Sequence, residues 1–118
     1  MEFKRKIACH ILLRMREPRG RIQVVVGPRQ IGKTFAVEQA TREYGRDFTY
    51  RLADGLGIDP LRWLESEWNA ARLLARSVGE HLLILDEIQK VKGWSEIVKR
   101  LWDEDTFNHI PLKVVLLG

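Results

Sequence analysis

Residues 22–34 read IQVVVGPRQIGKT, and this stretch decides the fold. Ile22 to Val26 is a short, β-branched run closed by Gly27, the pattern of a strand buried on both faces. Gly27–Thr34 match G-x-x-x-x-G-K-[ST], and residues 33–44 read as a helix ended by Gly45. A strand, a glycine-bracketed loop and a helix in that order make a phosphate cradle. Gly27 and Gly32 allow backbone conformations that a Cβ would forbid, so that successive N–H groups turn toward phosphate oxygens. Lys33 supplies a mobile cation for the β- and γ-phosphates, and Thr34 offers a hydroxyl to Mg²⁺. The helix start adds the positive end of its dipole. Arg29 either reaches a phosphate or lies on the solvent side of the loop.

The flanking sequence alternates helices with strands. Phe3, Ile7, Ile11 and Met15 recur every four residues, one face of a helix that Pro18 and Gly20 stop. Phe48, Tyr50 and Leu52 alternate with polar residues, which predicts a strand over 47–52 and a loop over 53–58. Asp59-Pro60 starts a helix carrying Leu61, Leu64, Trp68, Ala71, Ala75 and Val78, closed by Gly79. Leu82–Leu85 is a second continuous apolar run. Ser95 can cap a helix bearing Ile97, Val98, Leu101 and Trp102. Pro111 resets the chain before a fourth strand, Val114–Leu117. This order predicts an α/β fold of three αβα layers around a parallel sheet of four strands.

The second motif is LLILDE at residues 82–87. A strand delivering Asp86 at its carboxyl end can hold the Mg²⁺ water shell opposite Thr34. Glu87, one residue beyond, can polarise a water for attack on a γ-phosphate. GTPases of the Ras type carry Asp-x-x-Gly at this strand end, whereas the third residue after Asp86 is Gln89. Small-molecule kinases do not usually carry the adjacent Glu. The pair favours an ATPase.

With GPRQIGKT, LLILDEIQKV and a final KVVLLG in place, the sequence resembles the AAA-type P-loop ATPases of archaea and bacteria. Those proteins follow a Gly-Pro-Arg-Gln P-loop with Leu-Asp-Glu-Ile-Gln, a Trp-containing helix and a strand ending in Gly-Ser-Ser. The resemblance covers nearly the whole chain. It implies that ATP contacts Gly27, Pro28, Arg29, Gln30, Ile31, Gly32, Lys33, Thr34 and Phe35. It further implies Mg²⁺ at Thr34 and Asp86, with Lys33 and Glu87 as catalytic residues. The strand ending at Leu117 would lie between the P-loop strand and the Asp-Glu strand. Residues 1–118 then represent part of an ATPase domain, with an N-terminal helix at 1–20 and a nucleotide-binding core at 21–118. A fifth strand, a helical lid and a C-terminal, nuclease-like domain are expected to follow Gly118.

Composition bounds the rest. At 118 residues there is length for one domain, and 45% hydrophobic with 31% charged residues is the balance of an ordinary globular protein rather than a disordered one. A single cysteine excludes a disulfide framework, and no apolar run approaches the ~18 residues of a membrane span. Ile11–Leu13 is too short for a signal-peptide apolar region, so the expected setting is a reducing cytoplasm. Residues 1–33 carry a net charge of +7 and residues 34–118 one of −3. The basic front, with Lys4, Arg5, Lys6, Arg14, Arg16, Arg19 and Arg21, admits three readings: a solvated helix, a nucleic-acid surface, or shaping of the nucleotide pocket.

Cys9, His10, His81 and His109 show no ligand spacing and read as structural or surface residues. Trp68 and Trp102 fit apolar helix faces and read as core. Trp63 shares a second face with Ala70 and Leu74 that suits a partner or a further part of this protein. Asp103–Asp105 sits near a helix C-terminus and reads as a solvated end or a contact for a basic partner. The leading expectation is Mg²⁺-dependent ATP hydrolysis. Its alternatives are a nucleotide-sensing module without turnover and a nucleic-acid-binding ATPase.

Overall fold

The computed structural model describes residues 2–25, 33–55, 57 and 59–118. In chain order the elements are α1 (Glu2–Arg16), β1 (Gln23–Val25), α2 (Lys33–Tyr44), β2 (Phe48–Leu52) and α3 (Pro60–Val78). They continue with β3 (His81–Asp86), a 3₁₀ turn (Ile88–Lys90), α4 (Trp94–Phe107) and β4 (Leu112–Leu117). The sheet order is β1-β4-β3-β2 and every pairing is parallel. The strand ending at Leu117 thus lies between the strand that leads into Gly27 and the strand that ends in Asp86, as the resemblance implies.

Alternation along the strands sorts the core into two clusters. Leu82, Ile84, Val115 and Leu117 meet Ile11, Met15, Ala36, Val37 and Ala40 of α1 and α2. Leu83, Leu85, Leu112, Val114 and Leu116 meet Leu64, Trp68, Ala71, Val98 and Leu101 of α3 and α4. Both central strands are buried at every position, which is why they read as unbroken apolar runs; β1, expected to be buried on both faces, instead ends the described sheet with Val24 exposed, because it pairs there with β4 alone. No described helix is long and apolar enough to cross a membrane.

The helix ends follow local chemistry. Asp59 Oδ1 accepts the Arg62 N–H at 3.1 Å, and Pro60 occupies the first turn of α3. Gly79 closes α3 at φ 95°, a conformation suited to glycine. Helix α4 departs from expectation. It starts at Trp94 behind Gly93 (φ 81°), because the preceding 3₁₀ turn delivers the chain there, and the Trp94 N–H bonds Val91 O at 3.1 Å. Ser95 therefore lies inside the helix and caps nothing.

The acidic end of α4 is not solvated throughout. Asp105 is wholly buried; its Oδ2 accepts Trp68 Nε1–H at 2.8 Å and its Oδ1 accepts Arg72 Nε–H at 2.5 Å. Arg72 also donates to Leu101 O and to Glu104, and the Glu104 carboxyl is held below its ordinary range chiefly by that bond. The basic partner is thus α3 of the same chain. Trp102 is half-buried, with the Arg19 guanidinium 3.8 Å over its ring. Arg19 also donates to Leu112 O at 2.8 Å and to Thr106 Oγ1 at 3.1 Å, and burial lowers its pKa. Trp63 packs half-buried against the α3/α4 cluster, while Ala70 and Leu74 stay exposed, so the second face of α3 is divided.

Asp105→Ala leaves the Arg72 cation and the Trp68 N–H without their buried acceptor. The expected loss is about 3 kcal/mol, read as a lower urea midpoint; a loss below about 1 kcal/mol would contradict the reading of this triad. His81 offers a pH test. Its Nε2 lies 2.7 Å from Thr49 Oγ1, its buried Nδ1 has no partner among the described residues, and burial lowers its pKa, against the opposing effect of Asp47. The unfolded chain therefore takes up this proton first as pH falls below about 6.5. Stability declines from there down to the folded pKa. His81→Gln is expected to flatten this part of the decline in urea midpoint; an unchanged pH slope would contradict it.

Candidate nucleotide site

Register decides which face of the sheet carries the acids. Asp86 stands beside Leu117 on one side and Leu52 on the other, and shares its face with Leu82 and Ile84. That is the face covered by α2, whose Ala36, Val37 and Ala40 are buried against it. The carboxyl end of β1 at Val25 pairs with Leu117, so two strand spacings of about 4.8 Å separate it from Asp86. The Gly118 N–H bonds Val25 O at 3.1 Å and ties the rim together there.

Asp86 is 5% exposed. Both of its oxygens accept hydrogen bonds: Oδ1 from the Glu87 N–H at 2.8 Å, and Oδ2 from the Tyr50 hydroxyl. Tyr50 is opposite Ile84, two residues behind Asp86 in the register, so its side chain leans forward along the strand to reach the carboxylate. Burial first, then the bond to Asp86, pushes the Tyr50 phenol above its ordinary pKa. The ladder continues past the acid, with the Ala53 N–H on Asp86 O at 2.9 Å.

Glu87 leaves the strand in a left-handed conformation, φ 58° and ψ 40°. Such a backbone costs a non-glycine residue roughly 1–2 kcal/mol and persists where neighbours over-determine it. Here the neighbours are the 3₁₀ turn, closed by Lys90 N–H on Glu87 O at 3.0 Å, and Ile88, which anchors the turn in the α3/α4 cluster. The Glu87 carboxylate accepts a bond from the Gln89 amide. A Cβ on Gly118 would lie 3.1 Å from Gln89 Oε1, so a side chain there would press on this turn.

Thr34 and Phe35 are exposed in the first turn of α2. Lys33 opens that helix through its backbone, and its side chain lies outside the described residues, as do Gly27, Pro28, Arg29, Gln30, Ile31 and Gly32. Among the described residues no three His, Cys, Asp or Glu side chains gather as metal ligands. The hydroxyl of Thr34 and the carboxylate of Asp86 are hard oxygen donors of the kind that suits Mg²⁺, which keeps most of its waters and takes one or two protein oxygens plus substrate phosphates. Tyr50 was visible in the sequence only as part of an alternating strand; its reach to Asp86 depends on a register that no local pattern states.

If Glu87 sits in a strained left-handed position, Glu87→Gly should match the wild type in urea stability or exceed it by up to about 1 kcal/mol. A loss of more than about 1 kcal/mol would show that the turn depends on the side chain instead.

The geometry agrees with what the chain is similar to. Its fold matches the Thermotoga maritima RuvB Holliday junction branch migration motor with a TM-score of 0.53 at 17% identity, over 99% of this chain. The chain spans 38% of the length of that motor. No curated protein sequence matches it. The family model described as AAA domain matches residues 19–118. The chain therefore belongs to the AAA domain family of P-loop ATPases.

Proposed function

We propose that residues 21–118 form the nucleotide-binding core of an ATPase that binds and hydrolyses ATP with Mg²⁺, preceded by the helix at residues 1–20. One observation carries the reading. Asp86 ends β3 with Glu87 the next residue along the chain, and Asp86 lies on the sheet face covered by α2, the helix that Lys33 and Thr34 open. In this reading the Gly27–Thr34 backbone grips the phosphates and Lys33 neutralises their charge as it builds up in the transition state. Mg²⁺, held by Thr34 and by Asp86 through its water shell, would supply further charge neutralisation. Glu87 accepts a proton from the attacking water as its oxygen bonds to the γ-phosphorus. The bond from that phosphorus to the β–γ bridging oxygen breaks, and ADP leaves with the electron pair.

Binding without turnover is favoured by a single feature. The Glu87 carboxylate accepts a bond from Gln89, which occupies part of its capacity to accept from a water. Three cations of the basic front are engaged within the chain. Arg14 pairs with Glu17 at 3.9 Å, Arg16 donates to Glu43 O, and Arg19 is committed to β4 and α4. Assembly with further copies or a protein partner in the cytoplasm would accompany the ATPase reading.

Phosphate release from ATP, with and without Mg²⁺, tests the proposal. Glu87→Gln is expected to retain ATP binding and to lose turnover by about 10²-fold or more. Lys33→Ala is expected to lose binding itself by about tenfold or more. Unchanged turnover in both variants would overturn hydrolysis at this site. Wild-type binding of Mg·ATP with no phosphate release would favour the binding-only reading.

A further inference from the structure

We propose that Tyr50 is a positioning residue that fixes the plane of the Asp86 carboxylate for its role toward Mg²⁺. The inference deepens the function proposed above and rests on it. A carboxylate anchored at one oxygen keeps rotational freedom about its last side-chain bond, because that torsion is broad. Asp86 is anchored at both. Oδ1 takes the backbone N–H of Glu87, a donor every non-proline residue at position 87 would provide. Oδ2 takes the hydroxyl of Tyr50, which only this side chain supplies.

The register explains why a tyrosine is required. Position 50 pairs with Ile84, two residues and about 7 Å short of Asp86 along the strand. A serine or threonine hydroxyl at that position stays close to its own backbone and falls short. The tyrosine ring spans the interval while packing, partly buried, against the α1/α2 cluster that includes Ile84. Burial of the ring thus sets the direction of the hydroxyl. Carboxylates that serve a metal are commonly oriented by such outer contacts, and loss of one typically weakens metal affinity 10–100-fold.

The arrangement is also local to one strand pair. Tyr50 lies on β2, at the opposite end of the described sheet from β1, the strand that leads into Gly27. Removing its hydroxyl should therefore alter the Mg²⁺ response without altering how the cradle holds nucleotide alone. A general packing defect would weaken both.

The test is a Mg²⁺ titration of binding of a fluorescent, non-hydrolysable ATP analogue to the full chain and to Tyr50→Phe, Asp86→Asn and the double variant. Tyr50→Phe is expected to raise the half-saturating Mg²⁺ concentration about tenfold or more. Analogue binding in EDTA should stay at the wild-type value, and the thermal midpoint of the nucleotide-free chain should fall by no more than roughly ten degrees, the cost of one lost hydrogen bond. In the Asp86→Asn background the same change should add less than about twofold, because the partner is gone. An unchanged Mg²⁺ response in Tyr50→Phe would overturn the inference, provided that the wild type responds to Mg²⁺. An equal loss with and without Mg²⁺ would overturn it too, and would mark Tyr50 as packing only. Absence of any Mg²⁺-dependent binding by the wild type would fell the function proposed above, and this inference with it.

Discussion

Everything at the rim depends on the parallel ladder between β3 and β4. Both strands are buried on both faces, so their backbone N–H and C=O groups must find partners within the sheet. The pairing runs without a break from His81 beside Leu112 to Asp86 beside Leu117. A slip of one residue would send each β3 side chain to the opposite face. Leu82 and Ile84 would then face α3 and α4, and Asp86 would turn away from α2. The apolar residues thus hold the register, and the register delivers the acid to the face of the phosphate-cradle helix.

Polar contacts then fasten the layers around that ladder. The buried Asp105 joins α4 to Trp68 and Arg72 of α3, fixing the two helices that cover one face. Arg19 fastens the segment between α1 and β1 to the start of β4 and to α4, so β1 enters the sheet from a held position. Lys113, buried in β4, donates to Met15 O and holds the end of α1 against the other face. At the rim, the left-handed Glu87 is held by a turn whose anchor, Ile88, belongs to the α3/α4 core. The strain sits on the residue with proposed chemistry, and its support comes from residues with none.

Much of this was legible in the residues. The β-branched run at 22–26, the glycine spacing of 27–34 and the apolar runs ending at Leu85 and Leu117 carry periodicities and punctuation with direct physical causes. They were enough for the layers, the parallel sheet and Asp86 at a strand end. What escaped depended on contacts between distant parts of the chain. Ser95 has the chemistry of a cap, but Gly93 and the 3₁₀ turn decide where α4 starts. Asp105 and Glu104 are neighbours in a short acidic run, yet only Asp105 is turned inward to Trp68. Arg19 resembles the other cations of the front and differs only in what lies beside it. Tyr50 reads as an ordinary strand residue until the β2–β3 register aims it at Asp86. The phosphate cradle at 27–32 was expected from its motif and lies outside the described residues, so its support is the motif and the elements on either side.

The most direct measurement is calorimetric binding of Mg·ATP to the wild-type chain, compared with AMP. The account places the recognition energy on the β- and γ-phosphates, through the backbone of Gly27–Thr34 and the Lys33 cation. It predicts binding of Mg·ATP at least about 10²-fold tighter than AMP, since AMP lacks both of those phosphates. Equal affinity for the two, or no binding of either, would contradict it.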